Sequence, residues 1–258
     1  MAKGTYIPLY DVVTLNCSPA DIRDKTFLMV KNVQLYGGFA GTETLLSQRD
    51  FINNVTILSG DIGVLNDSLD NCYHVVICAD STGTAVLDGF TVTKGYASGS
   101  VSPNVVVNTK NTIRPYGGGM QIISSSPLIQ NVIFSNNSAS QDGGALYMSL
   151  SLPVINNCTF SGNVANTAGA IEIAGSSNCI INKCRIINNK ATGNGSGIYN
   201  NASNPSIRNC LIAGNITPAA GGGIYNSNAS PSIINCTVSG NKAFGGGGIY
   251  NLFTSNAI

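Results

Sequence analysis

The chain has 258 residues, long enough to bury a substantial core, yet only 10% are charged, against roughly 25% in typical soluble domains. Its 13 basic and 12 acidic residues nearly cancel, which excludes a polyelectrolyte that gathers nucleic acid or anionic lipid, and a single His excludes most His-dependent metal chemistry. Solubility rests instead on 32 Asn, 27 Ser and 30 Gly; the 43% hydrophobic content argues against disorder, and no apolar run approaches a membrane span.

The N-terminus, Met1-Ala2-Lys3-Gly4-Thr5-Tyr6, lacks the apolar stretch of a signal peptide. A removed export signal and an excised piece of a longer chain are the two explanations. Short strands are expected over residues 26–35, 55–58 and 73–78. Residues 37–53 read as an excursion with one helical turn near 44–49. Asp61, Asp67 and Asp70, with Asn66 and Asn71 nearby, form the densest acidic group. Asx turn-capping is their expected role and a structural Ca²⁺ the alternative, although the spacing is not that of an EF-hand. His74 falls in the alternation of residues 73–77 and is expected to be a satisfied strand histidine. Cys72 and Cys78, six residues apart along that strand, are roughly 20 Å apart and so not expected to pair; Cys17 and Cys179 have no assigned partner. Residues 86–95 overlay on the first regular copy of the repeat described next, and 96–116 form a second excursion.

From Gly117 onward the sequence repeats. Asn137, Asn163, Asn189, Asn215 and Asn241 fall 26 residues apart, as do Ile129, Ile155, Ile181, Ile207 and Ile233. Cys158, Cys184, Cys210 and Cys236 keep the same step after Val132, each following Asn or, once, Lys183. Gly-rich openers such as Gly143-Gly144-Ala145-Leu146 and Gly221-Gly222-Gly223-Ile224 begin the copies. Parity gives the geometry: Cys236 and Val238 share one face of a strand, but Ile233 has opposite parity. All three face inward only if the chain bends at Asn235, a residue type that tolerates left-handed backbone. Short strands separated by such bends, with identical residues at identical positions, describe a parallel β-helix. The expected fold is therefore all-β, a single-stranded right-handed parallel solenoid of about ten coils. Residues 1–116 make less regular N-terminal coils and 117–258 regular 26-residue coils, in one continuous domain. The hand follows the general crossover preference and the family resemblance below. Equivalent side chains should form ladders, Asn on Asn and Cys on Cys, the Asn amides satisfying one another.

Gly143-Gly144-Ala145-Leu146, with Phe134-Ser135-Asn136-Asn137 and Phe160-Ser161-Gly162-Asn163, resembles the paired motifs of chlamydial polymorphic outer-membrane proteins. The stretch from Tyr36 to Thr44, with Ile57-Leu58-Ser59-Gly60-Asp61, is similar to secreted β-helix repeat proteins of Bacteroidetes-type bacteria. The resemblance implies a bacterial, secreted or cell-surface β-helix, commonly part of a larger protein. Later copies depart from the adhesin motif, with Ile212 or Val238 replacing Phe.

β-Helices also carry polysaccharide lyases and hydrolases, which need paired carboxylates. From Gly117 onward the only acids are Asp142 and Glu172, at unlike positions of adjacent copies, so no catalytic pair is expected and no catalytic residue is assigned. The four-Cys row is expected to be core packing by free thiols. Tyr147, Tyr199, Tyr225 and Tyr250 follow an inward aliphatic residue and should form an outward row, interrupted by Gln121 and Glu172. That row is the candidate surface for stacking sugars or meeting a partner; plain strand residues are the alternative. Neither end shows a polar cap, so a fragment flanked by neighbouring domains competes with a subunit that stacks head to tail into filaments. The function expected is a non-catalytic structural stalk, adhesin segment or filament subunit, its partners a glycan, a host or cell surface, or itself. No nucleic-acid partner, membrane span or cofactor is expected beyond the Ca²⁺ alternative. A carbohydrate-active enzyme or glycan-binding module is the alternative function.

Overall fold

The computed structural model describes residues 1–80, 85–101 and 105–256. One coil shows the construction. Leu146–Ser149, Val154–Asn156, Thr159–Ser161 and Val164–Ala165 are four short strands, and each pairs in parallel with the strand 25 or 26 residues onward. Repeating this stacks the strands into sheets of eight, seven, eight and four members, the first sheet running from Phe27–Leu28 to Ile249–Leu252. The fold is a parallel β-helix of about eight coils, not ten, because residues before 117 spend chain on excursions instead of strands. Sheets cross from the irregular to the regular half without a break, through the pairs Val76↔Met120, Val86↔Leu128 and Thr91↔Ile133.

Bending has a local cause. The bend between the second and third strands carries Gly89, Asn131, Asn157, Lys183, Asn209 and Asn235, all with φ between 51° and 80°. The next bend carries Lys94, Asn136, Gly162, Asn188, Gly214 and Gly240, also left-handed. Gly and Asn reach this region at least cost, which is why they punctuate the repeat. The bend after the first strand is less orthodox: Ser124, Leu150 and Ala202 sit there at φ 49°, 52° and 49°. Parallel pairing on both sides holds these residues where their own preference would not.

With the bends in place, residues of opposite parity both point inward. Ile155, Cys158 and Phe160 are 0–1% exposed, and one apolar core runs from Met29 and Leu58 to Ile224. Phe134 and Phe160 stack with ring centroids 4.9 Å apart and planes within 2°. Asn137, Asn163, Asn189 and Asn215 are buried beside this core. Asn163 Nδ2 donates to the Phe134 carbonyl (3.0 Å) and to Asn189 Oδ1 (3.0 Å), and the Asn189 amide repeats the pattern one coil on. Each Oδ1 also accepts the backbone N–H of the preceding rung, ending with Gly95 N–H on Asn137 Oδ1. The backbone amides of Gly95, Asn137, Asn163, Asn189 and Asn215 are satisfied this way.

Two further ladders escaped the repeat reading. Ser151 and Ser177 accept backbone N–H bonds from Ser125 and Ser151, and Asn200, Asn226 and Asn251 link through their amides at 2.7 Å. The signal for the latter was the recurring Tyr-Asn pair at 199, 225 and 250. All eight cysteines are free thiols, and those of the four-Cys row donate to backbone carbonyls, as Cys158 Sγ does to Asn156 (3.3 Å). Cys72 is not on a strand with Cys78; it precedes Val76–Ala79, bonded through its N–H to Gly60, because the chain turns there.

The second excursion is shorter than expected. Tyr96–Ala97 is a strand of the four-membered sheet, so the second excursion begins only after it, and it contains the antiparallel hairpin Val105–Val107/Lys110–Thr112. The first contains the expected helical turn, Leu46–Gln48. No helix among the described residues is long and apolar enough to cross a membrane.

Candidate functional site

The outward row of the first sheet gathers most of the unusual side chains. In register it reads Ile77, Gln121, Tyr147, Glu172, Tyr199, Tyr225 and Tyr250. The opener glycines make room for it. At Gly195 and Gly221, φ is +69° and +70°, and an added Cβ would lie 2.8 and 2.6 Å from the Cβ of Tyr199 and Tyr225. Only glycine accommodates both the backbone and the aromatic neighbour.

The tyrosines are less open than an outward row suggests. Tyr147 and Tyr225 are 8% and 4% exposed. Tyr199, Tyr225 and Tyr250 stack nearly parallel, with centroids 4.9 and 5.2 Å apart, so the faces between neighbouring rings cover one another. Sugar rings stack on aromatic faces, which this row spends on itself. Tyr147 instead packs on Tyr116 at 4.9 Å.

The two interruptions have separate causes. Gln121 clamps the excursion: its Nε2 donates to the Ile113 and Tyr116 carbonyls (2.9 and 2.8 Å) and its Oε1 accepts the Ile113 N–H (2.9 Å). Glu172 meets Asp142. The sequence placed these acids at unlike positions, but stacking brings Asp142, whose strand neighbour is Thr167, into hydrogen-bonding contact with the Glu172 carboxyl. Glu172 is 4% exposed, and its Oε2 has no partner among the described residues. Burial first, and the Asp142 charge second, hold its carboxyl well above the usual range. Burial likewise raises Asp142, and with Glu172 raises the Tyr147 hydroxyl. Both carboxyls are thereby shifted toward their protonated forms.

At the N-terminal end of the same face, the segment around residues 11–26 and the 105–112 hairpin border an open cavity of about 370 Å³. Arg114 binds Asp24 through both Nε and Nη2 (2.9 and 2.7 Å), and Arg23 lies over the Tyr73 ring at 4.1 Å. His74 lines this cavity, just outside the strand rather than within it, and is only half satisfied. Its Nδ1 donates to the Gly117 carbonyl (3.0 Å), while Nε2 has no partner among the described residues. Sequence reasoning missed this site because its residues come from three separate stretches.

The acidic group near Asp61 does not converge. Asp61 pairs with Lys94 (2.5 Å), Asp67 caps the Leu69 N–H (2.9 Å) and Asp70 accepts the Val64 N–H (2.6 Å). Each carboxylate serves its own turn and an ammonium occupies the space between coils. No group of three or more His, Cys, Asp or Glu side chains among the described residues converges to hold a metal ion.

No curated protein and no solved structure matches the chain. A family model described as the right handed beta helix region matches residues 104–258, more than half of the sequence. Together with the parallel stacking of its strands, this places the chain in the right-handed β-helix family.

Proposed function

We propose that the chain is a non-catalytic structural segment of a secreted or cell-surface bacterial protein, a stiff stalk or adhesin segment whose end coils stack on further coils. The observation that carries this reading is unbroken register: equivalent residues pair through eight strands, and the buried Asn row ties each coil to the next. Bending such a rod breaks several rows at once. The motifs that resemble those of surface adhesins support export.

The rival reading is a carbohydrate-active enzyme or glycan-binding module. Glycosidases hold their carboxyls roughly 5–10 Å apart around the sugar, whereas Asp142 and Glu172 touch. The stacked tyrosines likewise turn most of their faces to one another. Both features favour the structural reading.

At the last coil Ile233, Cys236 and Val238 are only partly buried, while Ile207, Cys210 and Ile212 one coil earlier lie in the core. A further coil, from the same chain or a second copy, would cover them. Negative-stain microscopy and sizing chromatography over a concentration series test this. Self-stacking gives filaments with a repeat near 40 Å, about eight coils at ~4.8 Å each. Discrete monomers at every concentration refute self-stacking.

A further inference from the structure

We infer that the last coil is a docking face for a second copy of this chain, which meets it tail to tail about a two-fold axis and closes the assembly as a dimer. This rests on the reading of the last coil as a stacking end and names what stacks there. The two ends of the rod are not alike.

The first coil carries a cap that the sequence does not announce. On one side, the Thr26 hydroxyl and the Phe27 N–H donate to the Val75 carbonyl of the next coil. On the other, the Thr26 N–H donates to the Tyr10 carbonyl (3.3 Å) and Asp11 bridges Lys25 antiparallel. The chain leaving Gly4–Tyr6 therefore folds back over the outer edge of the first sheet. The buried Asp11 carboxylate fixes that loop, accepting from the Val13, Thr14 and Asn16 N–H groups and the Thr14 hydroxyl. A copy stacking head to tail has to bring Ile249–Leu252 in parallel onto this same edge, where an antiparallel segment already lies.

The opposite end has no such cover. Ser232–Ile234, Thr237–Ser239 and Ile249–Leu252 end their sheets, with no strand beyond them among the described residues. Ile234 and Phe253 are exposed, Phe244 is 96% exposed, and Ile233, Cys236 and Val238 are only partly buried. From Asn209 to the C-terminus the sole charged side chain is Lys242, so two such ends approach without a field of like charge. An isologous contact asks for one self-complementary face and nothing from the capped end.

Ile249–Leu252 is self-complementary in one register. The Ile224 N–H donates to the Gly248 carbonyl, and parallel pairing alternates from there. The N–H and C=O of Ile249 and Asn251 are thereby left facing off the end of the rod. A two-fold axis through Tyr250, along the normal to the first sheet, sets Ile249 of each copy opposite Asn251 of the partner subunit. Each such pair exchanges both backbone bonds, as antiparallel pairing requires. Every side chain keeps its own face, because opposed residues share parity. The tyrosine row of one copy then runs on into that of the other.

Sedimentation velocity and negative-stain microscopy of the intact protein, over a concentration series, test the assembly. Expected are a monomer–dimer equilibrium and rods near 80 Å, twice about eight coils at ~4.8 Å each. Filaments would uphold stacking and overturn the closed dimer; monomers alone would overturn the dimer and self-stacking together. Ile249→Pro deletes an N–H that the parallel ladder leaves unused and should raise the dimer dissociation constant at least about tenfold. Thr5→Lys, at the other end of the rod, should leave it unchanged, and the reverse pattern refutes the docking face. The double variant Cys17→Ser/Tyr250→Cys reads the register directly. With glutathione disulfide as oxidant, the two opposed thiols give up their protons and two electrons, forming a 250–250 disulfide and two glutathione thiols. Peptide mapping that finds no such bond in the dimer overturns the register even if Ile249→Pro fails to fold.

Discussion

Replacing Glu172 by Gln should stabilise the protein at neutral and alkaline pH and lose that advantage in acid. The side chain is 4% exposed, touches the Asp142 carboxyl, and leaves Oε2 without a partner among the described residues. In the folded state its pKa lies well above the ordinary 4.5, through burial first and Asp142 second. Between those two values the native state holds a proton that the unfolded chain has released, so stability falls as pH rises through that window. Below the ordinary value the contribution is fully present and the substitution gains nothing. Above the window a glutamine avoids a buried charge next to a second carboxylate and can donate to Asp142. Relief of one unsatisfied buried group is about 1–3 kcal/mol. For a domain of this size each kcal/mol moves Tm by ~2–4 °C. Gln121 shows that this row accepts a buried amide, two strands away in register. The assay is the difference in Tm or denaturant midpoint between Glu172→Gln and wild type from pH 4 to 9, which removes the titration of groups that do not interact with Glu172. A difference curve that is flat, or that shows the variant less stable at pH 8, refutes the coupled-pair argument.

Three other substitutions and one labelling probe test the frame. Asn189→Ala removes donors to Phe160, Ile187 and Asn215 and the acceptor used by Asn163, and should cost about 3 kcal/mol or more. Asn241→Ala, at the partly buried end of the row, should cost clearly less; equal denaturant midpoints for the two variants would contradict the ladder's energetics. Gly221→Ala puts a Cβ 2.6 Å from that of Tyr225 at φ +70° and should lower stability by at least about 1–2 kcal/mol, read by thermal unfolding. In the native protein a thiol reagent should label exposed Cys17 rapidly and Cys236 slowly, while the six buried cysteines react only on unfolding. Burial raises the Cys72 and Cys179 thiols to about 12, so fast labelling of either would mean that the core opens.

Sequence alone was enough for the coil. A strict 26-residue step can be satisfied only by stacking, and the change of parity between Ile233 and Cys236 demanded the bend that Asn235 makes at φ 51°. The Asn and Cys rows followed from the same register, because in a parallel stack equal sequence positions are spatial neighbours. The number of coils did not follow, since nothing local marks how much of the first 116 residues leaves the helix. Nor did the exposure of the tyrosine row. Strand parity gives a side chain's direction, but only packing shows that Tyr199, Tyr225 and Tyr250 cover one another.

The two polar sites were illegible for a related reason. Asp142 and Glu172 are 30 positions apart, off the repeat step, and meet because the turn before one opener folds against the next strand. The His74 cavity joins segments near residues 11–26, 74–77 and 105–114, none of them in the periodic part. Periodicity determines what repeats; where the chain departs from its period, contacts between distant segments arise from tertiary folding alone. The scaffold was therefore written in the sequence, while the sites where chemistry gathers were decided in space.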